Sequence, residues 1–256
     1  MQSLLKKIVE AHGGAESWRS VQALEVELSA SGFLFTSKFR PVLDHVRVRA
    51  HTDEPRVTFF DFPVPGQTSE FLGDREVTVR SADGELLARR ANPRAALGGW
   101  RRLLYWDHLD FVYFGGYAIW NYLMTPFLFL REGFAIEEIK PLPAGSPYFK
   151  KLRITFPADI PTHCREQIFY FDDDLLLRRL DYTAEVISRW ARAAHHCDGY
   201  KSVDGLKIPL RRRVLPVFLG RQAASWPTLV AINIHSAQAL RHEHVARAND
   251  RPALRS

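Results

Sequence analysis

Hydrophobic and polar positions alternate with a period of two along most of this chain, as they do in half-buried β-strands. At residues 46–49 two valines alternate with two arginines, which predicts one buried and one solvated face. Turn residues such as the pair Asp83-Gly84 separate the alternating segments. The pattern predicts strands at residues 23–30, 34–40, 44–51, 56–62, 68–72, 76–81, 85–90, 134–139, 151–156, 165–171, 175–183, 193–201, 206–215 and 228–236.

Near the amino terminus, apolar residues recur at the spacing of a helix face rather than of a strand. They predict an amphipathic helix that begins at Ser3 and stops at Gly13-Gly14, because serine is a preferred N-cap and glycine a preferred terminator. A second helical turn is expected at residues 15–20, where Trp18 would anchor it to the core. Residues 1–20 therefore form an N-terminal helical cap in this prediction.

The longest uncharged stretch occupies residues 111–130 and is rich in aromatic side chains. Its length matches the thickness of a bilayer, so a membrane-spanning helix has to be considered. Pro126 and the pair Gly115-Gly116 oppose that interpretation, since proline interrupts a helix and glycine weakens it. We predict instead an inserted helical segment at residues 103–130, made of a regular helix over 107–124 and an extended tail over 126–130.

In helical projection this segment has two different stripes. One is aliphatic and suits the concave face of a sheet: Leu109, Val112, Gly116, Ile119 and Leu123. The other is aromatic with polar atoms, and it would line a pocket or complete the core: Trp106, Asp110, Tyr113, Tyr117, Trp120 and Met124. Each interior glycine costs about 1 kcal/mol relative to alanine, so the glycine pair indicates either close approach of the helix backbone to a sheet or a kink.

About a dozen successive strands with few helices favour an antiparallel meander over βαβ units. We predict a single domain over residues 1–256, mainly β with inserted helices. Its core is a large antiparallel half-open barrel wrapped on a central aromatic helix, with an N-terminal helix at one end. Residues 92–102 are expected to form a linker or short helix, and residues 240–256 a frayed tail.

The net charge of +6 does not indicate nucleic acid as a partner, because the basic runs are scattered and interleaved with acidic residues. Contact with a membrane surface stays open on this charge alone. The two cysteines do not form a disulfide framework. Charged residues interrupt any signal-peptide pattern near the amino terminus, so we expect a cytoplasmic protein. No partner protein is indicated.

The order of motifs between residues 165 and 213 is distinctive. A strand ends in the acidic turn 172–174, a basic strand follows, and the run Val203-Asp204-Gly205-Leu206-Lys207-Ile208-Pro209 leads into a long strand. This order resembles the LolA/LolB-like lipoprotein-carrier superfamily. The opening Ala11-His12-Gly13-Gly14, with Trp18, is similar to bacterial proteins assigned to that superfamily.

The resemblance implies an incompletely closed antiparallel barrel with helices packed in its mouth. In the carriers, that shape encloses an apolar cavity for acyl chains. The chain departs from the carriers because it shows neither an export signal nor an N-terminal lipid-modified cysteine. Transport of lipoproteins across a periplasm is therefore not expected, and no functional residue is transferred from the family.

Candidate chemistry is sparse. In the pairs His163-Cys164 and His196-Cys197, neighbouring strand residues point to opposite faces, so neither pair converges on one metal ion. We predict no metal, no cofactor and no catalytic residue. Arg178 and its neighbours up to Tyr182 form a polar cluster that is explained either by cross-strand pairing or by a charged rim at a cavity mouth.

The leading hypothesis is non-catalytic binding or carriage of a hydrophobic or amphipathic small molecule, such as a lipid or acyl chain. The predicted ligand-binding residues are Trp106, Tyr113, Tyr117, Trp120, Met124, Arg178 and Tyr182. The first alternative is an enzyme acting in the same cavity, which requires ionisable groups such as Asp110, Asp181, His195 or His196 to meet there. The second is a packed structural or interaction protein without a ligand.

Overall fold

A computed structural model describes residues 3–40, 42–98, 105–139, 148, 150–218 and 224–241 of the chain. The helices are α1 (Leu4–Ala11), α2 (Ala15–Arg19), α3 (Phe33–Ser37), α4 (Pro93–Ala96), α5 (His108–Met124) and a 3-10 helix (Phe127–Leu130). The strands are β1 (Val21–Ser31), β2 (Leu43–His51), β3 (Arg56–Phe60), β4 (Thr68–Leu72), β5 (Glu76–Arg80), β6 (Leu86–Ala91), β7 (Ala135–Glu138), β8 (Lys150–Thr155), β9 (Glu166–Phe171), β10 (Leu177–Thr183), β11 (Arg192–Val203), β12 (Leu206–Pro216) and β13 (Val230–Arg241).

All the described strands belong to one antiparallel sheet in the order β6-β5-β4-β3-β2-β1-β13-β12-β11-β10-β9-β8-β7. Strands that follow each other along the chain are neighbours from β1 to β6 and again from β7 to β13, so the sheet consists of two meanders. The meanders join where β1 pairs with β13. Strands β6 and β7 stand at the two edges and do not pair with each other within the described residues. The predicted half-open antiparallel barrel is confirmed.

Helix α5 is the central helix of this barrel and is buried along most of its length. Its N-cap is Asp107, whose side chain accepts from the backbone N–H of Asp110 while the Asp110 carboxylate accepts from the backbone N–H of Asp107. Arg90 of β6 donates to both carboxylates at 2.6 Å. This pairing matters because Asp110 is only 1% exposed, and a buried carboxylate without a cation is costly. Within the described part of the chain, no helix has the length and hydropathy to cross a membrane.

The two consecutive glycines of α5 differ in how closely the sheet approaches them. A Cβ at Gly116 would lie 2.5 Å from the Cβ of Phe71 on β4, closer than real Cβ contacts. A Cβ at Gly115 would make only ordinary contact, 3.6 Å from Cζ of Phe59. Helix α5 continues through both glycines to Met124, so close approach to the sheet, rather than a kink, accounts for Gly116.

The N-terminal helices pack against the turn between β11 and β12. The carbonyl of His12 accepts from the backbone N–H of Lys207 at 2.9 Å. Gly13 has a φ of +122°, and a Cβ there would lie 2.4 Å from the carbonyl oxygen of Gly205. Trp18 stacks on Phe127 with ring centroids 4.3 Å apart. The predicted N-terminal helix and the second helical turn are present.

The prediction of a strand at residues 34–40 is wrong, because Phe33–Ser37 forms helix α3. Strand β1 ends just before Gly32, which has a φ of +135°. The backbone of Gly32 lies so close to the backbone of Leu229 that a Cβ on Gly32 would lie 2.4 Å from the carbonyl oxygen of Leu229. The helix that follows packs Phe35 on Phe111 of α5, with ring centroids 5.4 Å apart. Tertiary burial therefore overrides the local β-propensity.

The extended tail predicted at residues 126–130 is also wrong, since Phe127–Leu130 is a 3-10 helix. Pro126 occupies its N-cap position, where the absence of a proline N–H removes no helical hydrogen bond. The turn buries three of its apolar residues in the core: Phe127, Leu128 and Phe129.

Some predicted segments extend outside the described residues. Of the predicted tail at 240–256, Leu240 and Arg241 belong to β13 and the remainder is outside. Residues 103–104 of the inserted segment are outside as well. The predicted linker at 92–102 contains α4, and its last four residues are outside. The assignment of the whole chain to a single domain stays a prediction.

Candidate ligand cavity

An apolar cavity of about 500 Å³ lies between α5 and the sheet, near the place where the two meanders join. The sheet contributes small and branched side chains to its wall, among them Ala30, Leu43, Ala193, Val214 and Ile232. These residues come from β1, β2, β11, β12 and β13, so the junction of the meanders forms the cavity wall. The volume falls within the range of about 300–1,000 Å³ that is usual for small-molecule sites.

One face of α5 forms the opposite wall: Phe111, Phe114, Gly115, Ala118, Ile119 and Tyr122. Their spacing of three and four residues is that of a single helix face. This face matches neither of the two stripes predicted from the sequence. It combines aromatic rings with two small residues, Gly115 and Ala118, and the small residues leave space between the rings.

The aromatic stripe predicted to bind a ligand faces other parts of the protein. Trp106, Tyr113, Tyr117 and Trp120 are fully buried, and none of them lines the cavity. Tyr113 donates to Asp74 at 2.6 Å, and the indole of Trp120 donates to the carbonyl of His51 at 2.8 Å. These bonds hold α5 against the turn between β4 and β5 and against the end of β2. As ligand contacts, these four residues stay predictions.

The remaining predicted site residues occupy three different places. Tyr182 of β10 lines the cavity. Met124 lies at the end of α5, in a separate depression near Trp18. Arg178 donates to the carboxylate of Asp172 and lies outside the cavity lining, an arrangement that fits ordinary ion pairing on the sheet. The structure therefore brings only Tyr182 of the seven to the cavity.

A buried hydrogen-bonded chain of four side chains borders the cavity. The hydroxyl of Tyr117 lies 3.0 Å from Nδ1 of His163, and the hydroxyl of Tyr122 lies 2.8 Å from Nε2 of the same ring. The hydroxyls of Tyr122 and Tyr182 are 3.2 Å apart, and the ring of Tyr182 stacks on His163 at 4.0 Å. His163 lies in the loop before β9, so the chain links that loop to α5 and β10. Tyr122, His163 and Tyr182 line the cavity.

Burial keeps this chain uncharged. It lowers the pKa of His163 to about 3, with a smaller contribution from the positive charge of Arg94. Burial also raises the pKa of Tyr117 and Tyr182 well above the usual tyrosine value. At neutral pH the chain therefore consists of a neutral imidazole and three neutral phenols.

Two further buried polar side chains, those of His195 and Arg212, contact Tyr122. His195 of β11 is fully buried, its ring packs edge-on against Tyr122 at 4.4 Å, and neither ring nitrogen has a partner within the described residues. Burial lowers its pKa well below the usual value. Arg212 of β12 is 4% exposed and donates to the carbonyl of Tyr122 at 2.7 Å and to Sγ of Cys197 at 3.2 Å.

Exposed aromatic residues surround the opening of the cavity. Phe33, Trp190 and Phe218 all line it, and they are 55%, 73% and 64% exposed. Lys38 and Arg192 line it as well. Apolar rings left in water beside an apolar cavity indicate a surface for an apolar partner.

The groups required by the enzyme hypothesis do not meet at the cavity. Asp110 pairs with Arg90, and Asp181 is held by the guanidinium of Arg179 at 2.6 Å. Neither aspartate lines the cavity, and His195 and His196 do not line it either. In the described structure, the only group of three potential metal ligands within reach of one another is the acidic turn 172–174.

Neither the family models nor the curated proteins that were compared with the chain match it. Two crystal structures are similar over nearly the whole chain. A LolA superfamily protein from Nitrosomonas europaea has a TM-score of 0.51 and 9% identity, covering 94% of this chain and 96% of its own. A DUF1329 family protein from Desulfovibrio piger has a TM-score of 0.50 and 12% identity, covering 92% of this chain and 91% of its own.

These comparisons show the fold, which is LolA-like. The resemblance inferred from the order of turns and strands is confirmed at that level. At such low identity the shared fold does not determine a ligand or a function.

Sequence reasoning missed the cavity-lining role of His163 and Tyr122. Their bond joins positions 41 residues apart, and no local pattern records it. The only signal was the His163-Cys164 pair, which was weighed as a metal ligand rather than as a hydrogen-bond partner.

Proposed function

We propose that this chain binds a hydrophobic or amphipathic small molecule, such as a lipid or a fatty acyl chain, without catalysis. The observation that carries the proposal is the apolar cavity of about 500 Å³ with exposed aromatic residues at its opening. A folded protein gains stability by filling apolar space, so a cavity of this size beside α5 is a costly feature unless a ligand occupies it. The resemblance to lipid carriers supports the same class of ligand.

Filling the cavity is expected to weaken binding of an uncharged fluorescent dye, N-phenyl-1-naphthylamine. Ala118 is the best position, because it lies on the cavity face of α5 between aromatic neighbours. Ala118→Phe places a ring where the ligand would lie, and we expect the Kd to rise at least tenfold, a loss of about 1.4 kcal/mol or more. Fluorescence titration of the purified protein measures this change.

The matched control is Ala82→Phe, which adds the same ring at an exposed turn outside the cavity lining. It is expected to leave the Kd unchanged. Urea unfolding of both variants confirms that they are folded. Failure of the wild-type protein to bind the probe, together with native mass spectra that show only ligand-free protein, would contradict the proposal.

We further propose that the cavity opening meets a membrane surface. Aromatic rings are favoured at the interface between lipid and water, and Arg189, 5.1 Å from the Trp190 ring, adds positive charge near the exposed Arg192. This arrangement favours a bilayer with anionic lipids as the source or destination of the ligand.

The double variant Trp190→Ser with Phe218→Ser is expected to reduce binding to vesicles of phosphatidylcholine and phosphatidylglycerol about tenfold, because each lost ring removes apolar burial. Co-sedimentation measures the effect. Leu87→Ser removes an exposed apolar side chain from β6, away from the opening, and should leave binding unchanged. Equal losses in both variants would refute a specific role for the opening.

A further inference from the structure

The hydrogen bonds of the four-membered chain Tyr117–His163–Tyr122–Tyr182 can run in either of two directions. A neutral imidazole carries one N–H donor and one acceptor nitrogen, so the chain has two consistent directions. If Nδ1 carries the proton, Tyr122 donates to Nε2 and Tyr182 donates to Tyr122. If Nε2 carries it, each bond reverses, and Tyr182 accepts from Tyr122 and keeps its own hydrogen.

The hydroxyls at both ends of the chain have one hydrogen-bond partner each within the described residues, but Tyr117 does not line the cavity and Tyr182 does. The Tyr182 hydroxyl has Tyr122 as its only partner within the described residues, at 3.2 Å. In one direction of the chain it offers lone pairs, and in the other it offers a hydrogen. Tyr182 also lines the cavity, so this capacity lies beside the space that a ligand would fill.

No cation is hydrogen-bonded to the hydroxyl of Tyr182 in the described structure, although Arg212 lies 5.2 Å from the ring centroid of Tyr122. Arg94 donates to the carbonyl of Thr162 at 3.0 Å and to Tyr113 at 3.3 Å. Arg212 donates to a backbone carbonyl and to a cysteine sulfur. Neither guanidinium donates to a side chain of the four-membered chain. A carboxylate or phosphate beside the Tyr182 hydroxyl would lose its hydration and gain only a hydrogen bond from a neutral phenol, whereas an uncharged group would lose much less hydration.

We infer that the inner end of the cavity recognises one uncharged polar group, a hydroxyl or a carbonyl, on an otherwise apolar ligand, with Tyr182 as the contacting residue. This inference rests on the proposed binding function and names its ligand class. A long-chain alcohol or an ester would satisfy it, because the reversible chain can donate to the carbonyl or exchange hydrogen bonds with the hydroxyl. The rest of such a ligand contacts apolar walls.

The test compares three ligands of equal chain length in displacing N-phenyl-1-naphthylamine from the cavity: octan-1-ol, 1-fluorooctane and octanoate, at pH 8. Octanol should displace the dye at lower concentration than octanoate. Tyr182→Phe should reduce the preference for octanol over 1-fluorooctane by about three- to tenfold, the value of one hydrogen bond. It should leave the affinity for 1-fluorooctane unchanged. Comparing ratios between variants removes the different hydration of the ligands.

Tyr170→Phe is the matched control, because this hydroxyl donates to Asp181 and the residue does not line the cavity. It should preserve the preference for octanol. An unchanged preference in Tyr182→Phe, or tighter binding of octanoate than of octanol, would overturn the inference. If none of the three ligands displaces the dye, and the dye itself does not bind, the proposed binding function fails instead.

A second measurement avoids the variant altogether in case Tyr182→Phe does not fold. Wild-type protein labelled with ¹³Cζ-tyrosine should show one buried tyrosine resonance that moves with octanol and not with 1-fluorooctane. Identical spectra with both ligands, under conditions where both displace the dye, would also overturn the inference.

Discussion

Acidification from pH 6.5 to pH 4.5 is expected to remove much of the free energy of unfolding of this protein. The cause is a set of three buried histidines that stay neutral in the folded state: His12, His163 and His195. Burial lowers the pKa of His12 to about 4 and that of His163 to about 3, and it also lowers the pKa of His195 well below the usual histidine value.

The direction follows from proton uptake. Between the unfolded pKa near 6.5 and these lowered values, the unfolded chain binds protons that the folded protein does not bind. Stability is therefore present above the unfolded pKa and is lost as the pH falls. Each such histidine contributes at most about 1.4 kcal/mol per pH unit, so three together approach about 4 kcal/mol per unit. That slope is large beside a total stability of about 5–15 kcal/mol.

Urea unfolding followed by tryptophan fluorescence at pH 7.5, 6.5, 5.5 and 4.5 measures the slope. Above pH 4.5 most carboxylates keep their charge, so the histidines dominate this window. His195→Leu should lower the slope by about 1.4 kcal/mol per unit and cost little at pH 7.5, because its ring nitrogens have no protein partner in the described structure.

His163→Leu is the matched comparison. It should lower the slope by a similar amount but also destabilise the protein at pH 7.5, since two tyrosine hydroxyls lose their partner. A stability that is flat from pH 7.5 to pH 4.5, or a slope that neither variant changes, would contradict the account of buried neutral histidines.

Replacing Gly116 by alanine is expected to destabilise the protein by about 1–3 kcal/mol, the usual cost of overpacking a core. The added Cβ would lie 2.5 Å from Cβ of Phe71, so either α5 or β4 has to move. The better helix propensity of alanine offsets only about 1 kcal/mol of this. Thermal and urea unfolding at neutral pH measure the change.

Gly115→Ala provides the control, one residue away on the same helix. Its Cβ would meet Cζ of Phe59 at 3.6 Å, an ordinary contact, so the variant should be neutral or more stable by up to about 1 kcal/mol. If both alanine variants behave alike, the contact with Phe71 does not determine how closely α5 approaches the sheet.

Local patterns were sufficient to predict most of the strands and the helix α5. The alternation of hydrophobic and polar residues and turn residues such as Asp83-Gly84 are signals that span only a few positions. They correctly predicted β5, β6 and the hairpin between them. The end of α5 at Met124 followed from Pro126 just beyond it. The half-open barrel followed from the number and order of strands, together with the family resemblance.

The failures have a common physical cause, which is contact between distant parts of the chain. The strand predicted at 34–40 became α3 because Gly32 packs against the backbone at Leu229 and Phe35 packs on α5. The cavity face of α5 was not predictable either, since a helix that is apolar on every side has no periodicity to orient it. Because His163 lies in a loop, no hydrophobic periodicity in the sequence predicts where its side chain lies.

The pairing of β1 with β13 has a consequence for biosynthesis. These strands pair at ten positions, yet they are separated by nearly the whole described sequence, so β13 leaves the ribosome after all the other described strands. Until β13 has been synthesised, one edge of β1 has no strand to pair with. The apolar cavity wall that includes Ala30 then lacks the contribution of β13. Such distant pairing slows folding, and the waiting edge is where a nascent chain would recruit a chaperone or aggregate.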